Sequence, residues 1–249
     1  MIILKHPEEV EKLYRANQIV ARLLEMLKEQ VVPGVTTLEL DRMAEEFIRK
    51  AKAAPAFKGY RGYPATLCTS INEVVVHGIP SKQRVQDGDL VSIDVGVILD
   101  GYFGDAARTF GVGAVSEAGQ RLIDVTREAL YKGIEKATVS HRLFDISAAI
   151  QKFVEAHSFS VVRAFVGHGI GRNLHEEPQV PNFGQPNQGP RLKAGMVLAI
   201  EPMVNMGGWQ VEILEDNWTT VTSDRSLSGH FEHSVAILNG ETRILSQVA

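Results

Sequence analysis

The chain has 249 residues, enough for one or two domains and for a large hydrophobic core. Its 26 Lys and Arg residues against 30 Asp and Glu residues give a formal net charge of −4, which argues against nucleic acid or an anionic membrane as the main ligand. Hydrophobic residues make up 44% of the chain, as in globular proteins, and a single cysteine, Cys68, excludes a scaffold of intramolecular disulfides.

Neither a membrane helix nor a secretory leader is evident in the sequence. No apolar run reaches the roughly 18 residues that a spanning helix needs. The start of the chain, Met1–Glu9, has only a short apolar stretch before its acidic residues, unlike a signal peptide. We therefore expect a mature cytoplasmic protein.

Four helices are predicted from apolar spacing and from residues that favour helix ends. Pro7 suits a first helical turn, and Thr36 or Thr37 can cap the second helix. The predicted helices cover residues 7–29, about 37–52, about 117–137 and about 143–157.

Strand-like patterns follow each predicted pair of helices, and the two halves of the chain match each other. Residues 88–94 (GDLVSID) align with residues 195–201 (GMVLAIE), and in both a carboxylate ends an apolar strand. Phe47-Ile48 aligns with Phe153-Val154 at nearly the same offset. These matches favour a duplicated half. We expect one domain over residues 1–249, with an internal pseudo-repeat of about 1–115 and 116–249.

Two aspartates flank a predicted hairpin. Asp100-Gly101 is a strong signal for a two-residue turn, and that register places Asp94 opposite Ala107. Asp105 is then the diagonal neighbour of Asp94 on the same face, about 7–8 Å away or less. Carboxylates so placed repel each other unless a cation lies between them, and two divalent ions would fit the gap. A solvated hairpin edge is the alternative for Asp105, but Asp94 interrupts a strongly apolar strand.

Two glutamates adjoin apolar strands in the second half. Glu201 ends the run 196–200, where a buried carboxylate would need a partner or a metal. A strand-end glutamate in water is an equally good interpretation. Glu232 precedes the apolar run 234–237, and taken alone it is better interpreted as a surface residue.

Three of the eight histidines lie in contexts that suit a functional site. His168 lies in a glycine-rich loop, His175 precedes Glu176-Glu177-Pro178, and His77 follows an apolar run at a turn. Each of them, taken alone, is better interpreted as a structural histidine. No phosphate-binding loop and no HExxH zinc helix is present. The remaining histidines are interpreted as structural or surface residues: His6, His141, His157, His230 and His233.

A mixed set of Asp, Glu and His side chains suits Mn, Co, Fe or Zn better than Ca or Mg. Four carboxylates and one imidazole would nearly neutralise two such dications. A water bridging the two ions would ionise near neutral pH and could attack a carbonyl group.

Taken together, these segments resemble the type I methionine aminopeptidases, a family with the pita-bread fold. The resemblance covers essentially the whole chain, and its motifs are specific in their order and spacing. It implies an α+β fold in which two pseudo-symmetric helix-helix-strand halves surround a curved antiparallel sheet, without an N-terminal extension domain. The matching stretches are residues 70–80, 94–96, 101–105, 167–171, 175–178, 201–202, 224–228 and 232–233.

The resemblance implies a dinuclear metal site with five ligands. Asp105 and Glu232 would bridge the two ions, Asp94 would bind one of them, and His168 and Glu201 the other. The ions would be Co, Mn, Fe or Zn.

The resemblance also implies the hydrolytic removal of an initiator methionine, with a small second residue preferred. A metal-bridging water would attack the first peptide carbonyl, with Glu201 as proton shuttle. His175 would hydrogen-bond the oxyanion, and His77 would contact the scissile amide or the second residue. The free N-terminal amine would bind a metal, so that a single residue is removed.

A methionine pocket is implied as well, and the sequence departs from the family near it. Leu174 stands where the family usually has Phe, and Asn217 stands where Gly is usual. These departures affect the expected substrate preference and leave the ligands intact. The implied pocket residues are Tyr60, Tyr63, Cys68, His77 and Trp218.

A monovalent cation is a further cofactor that the resemblance suggests, held by the backbone of residues matching Asn72, Val74 and Ser228. The implied partner is the N-terminal peptide of nascent proteins, with docking on the ribosome left open. A monomer without direct nucleic-acid or membrane binding is expected. The alternatives are an Xaa-Pro peptidase of the same fold and a non-enzymatic binding protein of that fold.

Overall fold

The computed structural model describes residues 1–248, which contain four α-helices. Their starts agree with the sequence prediction, and each helix ends one to three residues earlier than predicted. Thr36 caps the second helix in a capping box, because its side chain accepts a hydrogen bond from the Glu39 N–H and the Glu39 carboxylate accepts one from the Thr36 N–H. The helices are α1 (Pro7–Lys28), α2 (Thr37–Lys50), α3 (Glu117–Ile134) and α4 (Leu143–Ala156).

Among residues 1–248, no helix combines the length and the apolar character that crossing a membrane requires.

The strands are short except for the hairpin at the centre of the first half. In chain order they are β1 (Ala54–Pro55), β2 (Leu67–Ile71), β3 (Val74–Val76), β4 (Leu90–Leu99), β5 (Tyr102–Gly111), β6 (Ser160–Val161), β7 (Gly167–Gly169), β8 (Glu176–Val180), β9 (Val197–Ile200), β10 (Met203–Asn205), β11 (Val211–Ile213), β12 (Thr220–Thr222), β13 (Ser228–His230), β14 (His233–Ile237) and β15 (Thr242–Ile244).

The pairings recorded between these strands are antiparallel, as the predicted fold class requires. One sheet has the order β1-β4-β2 with β5 on β4, and a second has the order β15-β14-β9-β7-β8. Two smaller sheets have the orders β13-β10-β6 and β11-β12-β3. The two larger sheets carry most of the candidate site.

The central hairpin has the predicted register. Asp100 and Gly101 both have positive φ angles, 51° and 77°, as expected for a two-residue turn between twisted strands. Asp94 consequently pairs with Ala107, and Asp105 pairs with Gly96. The hairpin thus places Asp105 diagonally across from Asp94 on one face of the sheet, as predicted.

Each pair of helices packs against one of the two larger sheets. Leu23 of α1 and Ile93 of β4 belong to one buried apolar cluster, and Leu122 of α3 belongs to a second cluster with β9 and β14. Two hydrogen bonds join the sheets. The Ser234 hydroxyl donates to the Asp105 carbonyl at 2.9 Å, and the Glu232 N–H donates to the Ala107 carbonyl, also at 2.9 Å.

Gly104 permits the close approach of α1 to the hairpin, next to Asp105. A Cβ atom at this position would lie 2.7 Å from the Asn17 backbone nitrogen and 2.8 Å from the Ala16 carbonyl carbon. We expect Gly104→Ala to destabilise the protein by about 1–3 kcal/mol, because backbone atoms must move to admit the methyl group. Urea denaturation of both proteins measures this. An unchanged unfolding midpoint would contradict the packing described here.

Candidate active site

Four carboxylates and one histidine meet where the two larger sheets join. Asp94 and Asp105 come from the hairpin. Glu201 directly follows β9 and Glu232 directly precedes β14, and His233 pairs with Ile200, so the two glutamates leave these strands at the same end. His168 of β7 pairs with Ala199 of β9, which brings the imidazole to the same place.

The distances between these groups would allow them to share a bound cation. Ligand atoms of Asp105, His168 and Glu232 all lie within 4.8 Å of one another. The His168 Nε2 atom is 3.5 Å from Glu201 Oε1 and 3.9 Å from Asp105 Oδ2. His168 Nδ1 lies 2.9 Å from the Gly169 carbonyl, so that Nδ1 carries the proton and Nε2 presents its lone pair to the carboxylates.

Burial raises the pKa of all four carboxyl groups, and the charges of neighbouring carboxylates raise it further for Asp105, Glu201 and Glu232. Burial raises the pKa of Asp94 to about 7. The pKa of Asp105 is raised well above its usual range by burial and then by the charges of Glu232 and Asp94. Burial and neighbouring carboxylates have the same effect on the pKa of Glu201 and of Glu232. Burial lowers the pKa of His168 to about 3.

These residues fit a divalent metal centre. Asp94 Oδ1, Asp105 Oδ1 and Glu232 Oε1 are buried and have no hydrogen-bond partner. Buried carboxylates are costly unless they are paired or bind a metal, and a cation between them would meet both needs. The carboxylate and imidazole donors suit the borderline-hard divalent ions.

The interpretation of Glu232 as a surface residue, based on its sequence context alone, is wrong. Glu232 is 3% exposed, because the backbone bond to Ala107 holds its segment against the hairpin.

A cavity of about 270 Å³ is lined by the five residues of the cluster and also by the predicted pocket residues. The ring of Tyr63 meets that of Trp218 edge-on, with centroids 5.0 Å apart, and the His77 ring lies edge-on to Trp218 at 6.1 Å. Residues predicted for the pocket or for catalysis that line this cavity are Tyr60, Tyr63, Cys68, His77, His175 and Trp218.

His175 is held between Tyr60 and His168. The Tyr60 hydroxyl lies 2.8 Å from His175 Nδ1, and the rings of His175 and His168 have centroids 4.3 Å apart. Burial and then the charge of Arg61 lower the pKa of His175, and burial lowers that of His77 to about 4. Both imidazoles are therefore neutral at pH 7. A neutral His175 that accepts the Tyr60 O–H at Nδ1 would carry its proton on Nε2.

Sequence analysis did not place His230 and Phe165 at this site. His230 lines the cavity, and its buried Nε2 atom has no hydrogen-bond partner and lies 3.9 Å from Glu201 Oε2. Its segment alone carries no pattern that indicates this position. Phe165 packs edge-on against His77 at 5.3 Å and also lines the cavity.

The two departures from the family pattern have different positions in the structure. Leu174 is buried and lines the cavity, so it contributes to the shape of the pocket. Asn217 has a φ angle of 62°. This left-handed conformation favours glycine, and asparagine adopts it more readily than most other residues. Asn217 is therefore compatible with the left-handed position in the turn before Trp218.

The three residues suggested for a monovalent cation lie in or next to strands of the two smaller sheets. The Ser228 N–H donates to the Asn72 carbonyl at 2.8 Å, and Val74 begins β3, two residues after Asn72. Asn72 has a φ angle of 56°. The structure thus brings Asn72 and Ser228 into contact, and the cation itself stays a prediction.

Comparisons with known proteins agree with this architecture. The model of metallopeptidase family M24 matches residues 11–238. A curated methionine aminopeptidase of Clostridium perfringens is 58% identical over 248 residues and 100% of both chains. Methionine aminopeptidase 1 of Bacillus subtilis is 52% identical, again over 100% of both chains.

Solved structures show the same fold. The crystal structure of methionine aminopeptidase from Thermotoga maritima has a TM-score of 0.97 and 47% identity, covering 99% of this chain and 100% of that one. The prolidase of Pyrococcus horikoshii has a TM-score of 0.81 and 22% identity, with this chain spanning 65% of it, which is a likeness of fold alone. The chain therefore belongs to metallopeptidase family M24 and has the pita-bread fold of its methionine aminopeptidases.

Proposed function

We propose that this protein is a metal-dependent methionine aminopeptidase that removes the initiator methionine from nascent proteins. The observation that carries the proposal is the cluster of four carboxylates and one imidazole, which lines one cavity together with aromatic and sulfur-bearing side chains. Full-length relatives that bear this name support it.

Two divalent ions would be held by the side chains of Asp94, Asp105, His168, Glu201 and Glu232. Four carboxylates balance the charge of two dications, which supports two ions rather than one, drawn from Co, Mn, Fe and Zn. When bound, the ions would supply Lewis-acid polarisation of the substrate and an ionised water near neutral pH. A monovalent cation at Asn72, Val74 and Ser228 is a further proposal, supported only by family resemblance.

The chain's own groups would move protons and orient the peptide. Glu201, which lines the cavity at the end of β9, would accept a proton from the attacking water and pass it to the leaving amine. Neutral His175 would donate its Nε2–H to the developing oxyanion. His77 would contact the scissile amide or the second residue.

The cavity would bind the methionine side chain. A flexible thioether packs well against aromatic rings and sulfur, which Tyr60, Tyr63, Trp218 and Cys68 provide. The volume of about 270 Å³ suits a single side chain together with the reacting peptide group. We expect a small second residue to be preferred.

The proposed setting is the cytoplasm, with nascent N-termini as substrates. A monomer is the proposed state of the protein. The net charge of −4 does not favour RNA as a ligand. Docking on the ribosome would serve to bring nascent chains to the site. We propose one catalytic domain made of two related halves, supported by the internal sequence matches.

A panel of three peptides tests the proposal. The metal-loaded protein is incubated with Met-Ala-Ser, Ala-Ala-Ser and Ala-Pro-Ser, beside a Glu201→Ala control. We expect release of methionine alone, lost in the control. Cleavage of Ala-Pro-Ser in preference to Met-Ala-Ser would overturn the proposed specificity in favour of a proline peptidase.

Tyr60→Phe is expected to lower kcat about tenfold, because it removes the hydrogen bond that fixes the His175 tautomer while retaining the ring. Steady-state kinetics with Met-Ala-Ser measure this. Tyr14→Phe, away from the cavity, is the matched control. Equal kcat values for both variants would show that the Tyr60 hydroxyl does not act on His175.

A further inference from the structure

We propose that Lys5, in the segment before α1, is a positioning residue for His175, acting through Glu176. This inference rests on the proposed function. Lys5 Nζ forms an ion pair with a carboxylate oxygen of Glu176, and Glu176 directly follows His175 in the chain. Both side chains are only 4% exposed, so this ion pair is buried, unlike the exposed pairs on the helices.

The pair fixes the loop that carries His175. The second carboxylate oxygen of Glu176 accepts a hydrogen bond from the Asn173 N–H at 3.2 Å, which closes the loop from residue 173 to residue 176. A Cβ atom on Gly171 would lie 2.5 Å from both Glu176 Oε1 and Lys5 Cε, so the loop approaches the pair as closely as glycine allows. Movement of Glu176 would therefore move the loop and His175.

Lys5 is itself fixed to the framework of the metal-binding cluster. Its N–H donates to the Gly195 carbonyl at 2.7 Å, and the Gly195 N–H donates to the Ile237 carbonyl at 2.9 Å. Ile237 ends β14 and Gly195 shortly precedes β9, the strands that adjoin Glu232 and Glu201. The Lys5–Glu176 pair thus connects the His175 loop to the strands that hold the proposed ligands.

A second contact fastens the same loop to the start of α1. The Arg172 guanidinium lies 3.7 Å from the Glu9 carboxylate and stacks over the Tyr102 ring, with the guanidinium carbon 4.6 Å from the ring centroid. Arg172 is largely exposed, so it tolerates motion better than the buried pair. The buried pair is the one that sets the position of His175.

The test distinguishes a role in positioning His175 from a contribution to the stability of the fold alone. A single substitution, Lys5→Met or Glu176→Gln, leaves one buried charge without its partner and lowers the Tm. The double substitution removes both charges and is expected to recover most of that Tm. If the pair positions His175, kcat for Met-Ala-Ser falls at least about tenfold in the single and the double variants, and KM and Mn affinity change less than about threefold.

Lys132→Met/Glu135→Gln, which removes an exposed pair of α3, is the matched control and should keep wild-type kinetics. Ring signals of His175, assigned in ¹⁵N-histidine NMR spectra with His175→Ala, give a readout independent of turnover. They are expected to shift in the single and double variants at Lys5 and Glu176, and to stay unchanged in the Lys132→Met/Glu135→Gln control. A double variant with wild-type kcat, or with unchanged His175 signals, would overturn the positioning role. If the wild type does not cleave Met-Ala-Ser, the proposed function fails, and the NMR spectra still decide whether the pair positions His175.

Discussion

Asp105→Asn is expected to lower kcat/KM for Met-Ala-Ser by a factor on the order of 10³ or more. The substitution removes a negative charge that both proposed metal ions would share. Asparagine is nearly isosteric, so the cavity keeps its shape. Steady-state kinetics at saturating Mn measure the change. Asp124→Asn, at an exposed aspartate on α3, is the matched control and should retain full activity.

The same substitution is expected to change how metal stabilises the fold. An ion at 100 times its Kd stabilises the native wild type by about 2.7 kcal/mol, which raises the Tm of a chain of this size by roughly 5–10 °C. Asp105→Asn should show less than half of that rise. Without metal it should be at least as stable as the wild type at pH 7, because the raised pKa of Asp105 shows that its charged form is unfavourable in the fold. An undiminished metal-induced rise in Tm would contradict the assigned role of Asp105.

His175→Ala is the second large expected effect, a fall in kcat by a factor of about 10²–10³, typical for the loss of one oxyanion donor. The reason is geometric: the neutral ring is fixed by Tyr60 at Nδ1 and lies beside His168, with Nε2–H as its free donor. The metal-induced rise in Tm should equal that of the wild type, because His175 is not a proposed ligand.

His175→Gln provides the control for this prediction. Its amide retains a donor, so it should recover part of the kcat lost in His175→Ala. Equal activity of wild type and His175→Ala would show that no oxyanion donor is lost. A loss of metal affinity in His175→Ala would instead place this residue in the metal site.

The features that sequence patterns predicted correctly are local ones. The turn at Asp100-Gly101 fixes the hairpin register, and the register alone brings Asp94 and Asp105 to one face. The cap at Thr36 likewise follows from adjacent residues. Such features depend on short-range sterics and hydrogen bonds, which the sequence displays directly.

The remaining features depend on contacts between distant parts of the chain. Glu232 looks like a surface residue in its own segment, and it is buried only because that segment docks on the hairpin through the Ala107 carbonyl. The Lys5–Glu176 pair joins residues 171 positions apart. No periodicity or spacing in either segment indicates such a partner, so these contacts had to be found in the folded structure.

Restoring divalent ions to metal-stripped protein, with methionine release from Met-Ala-Ser as the readout, tests the central claim most directly. Mn, Co, Fe and Zn are each titrated into the stripped protein, and Asp105→Asn is titrated in parallel. We expect no release without metal and release that rises with one or more of these ions, largely absent from the variant. Full release by the stripped protein, or none with any ion, would contradict a metal-dependent methionine aminopeptidase built on this cluster.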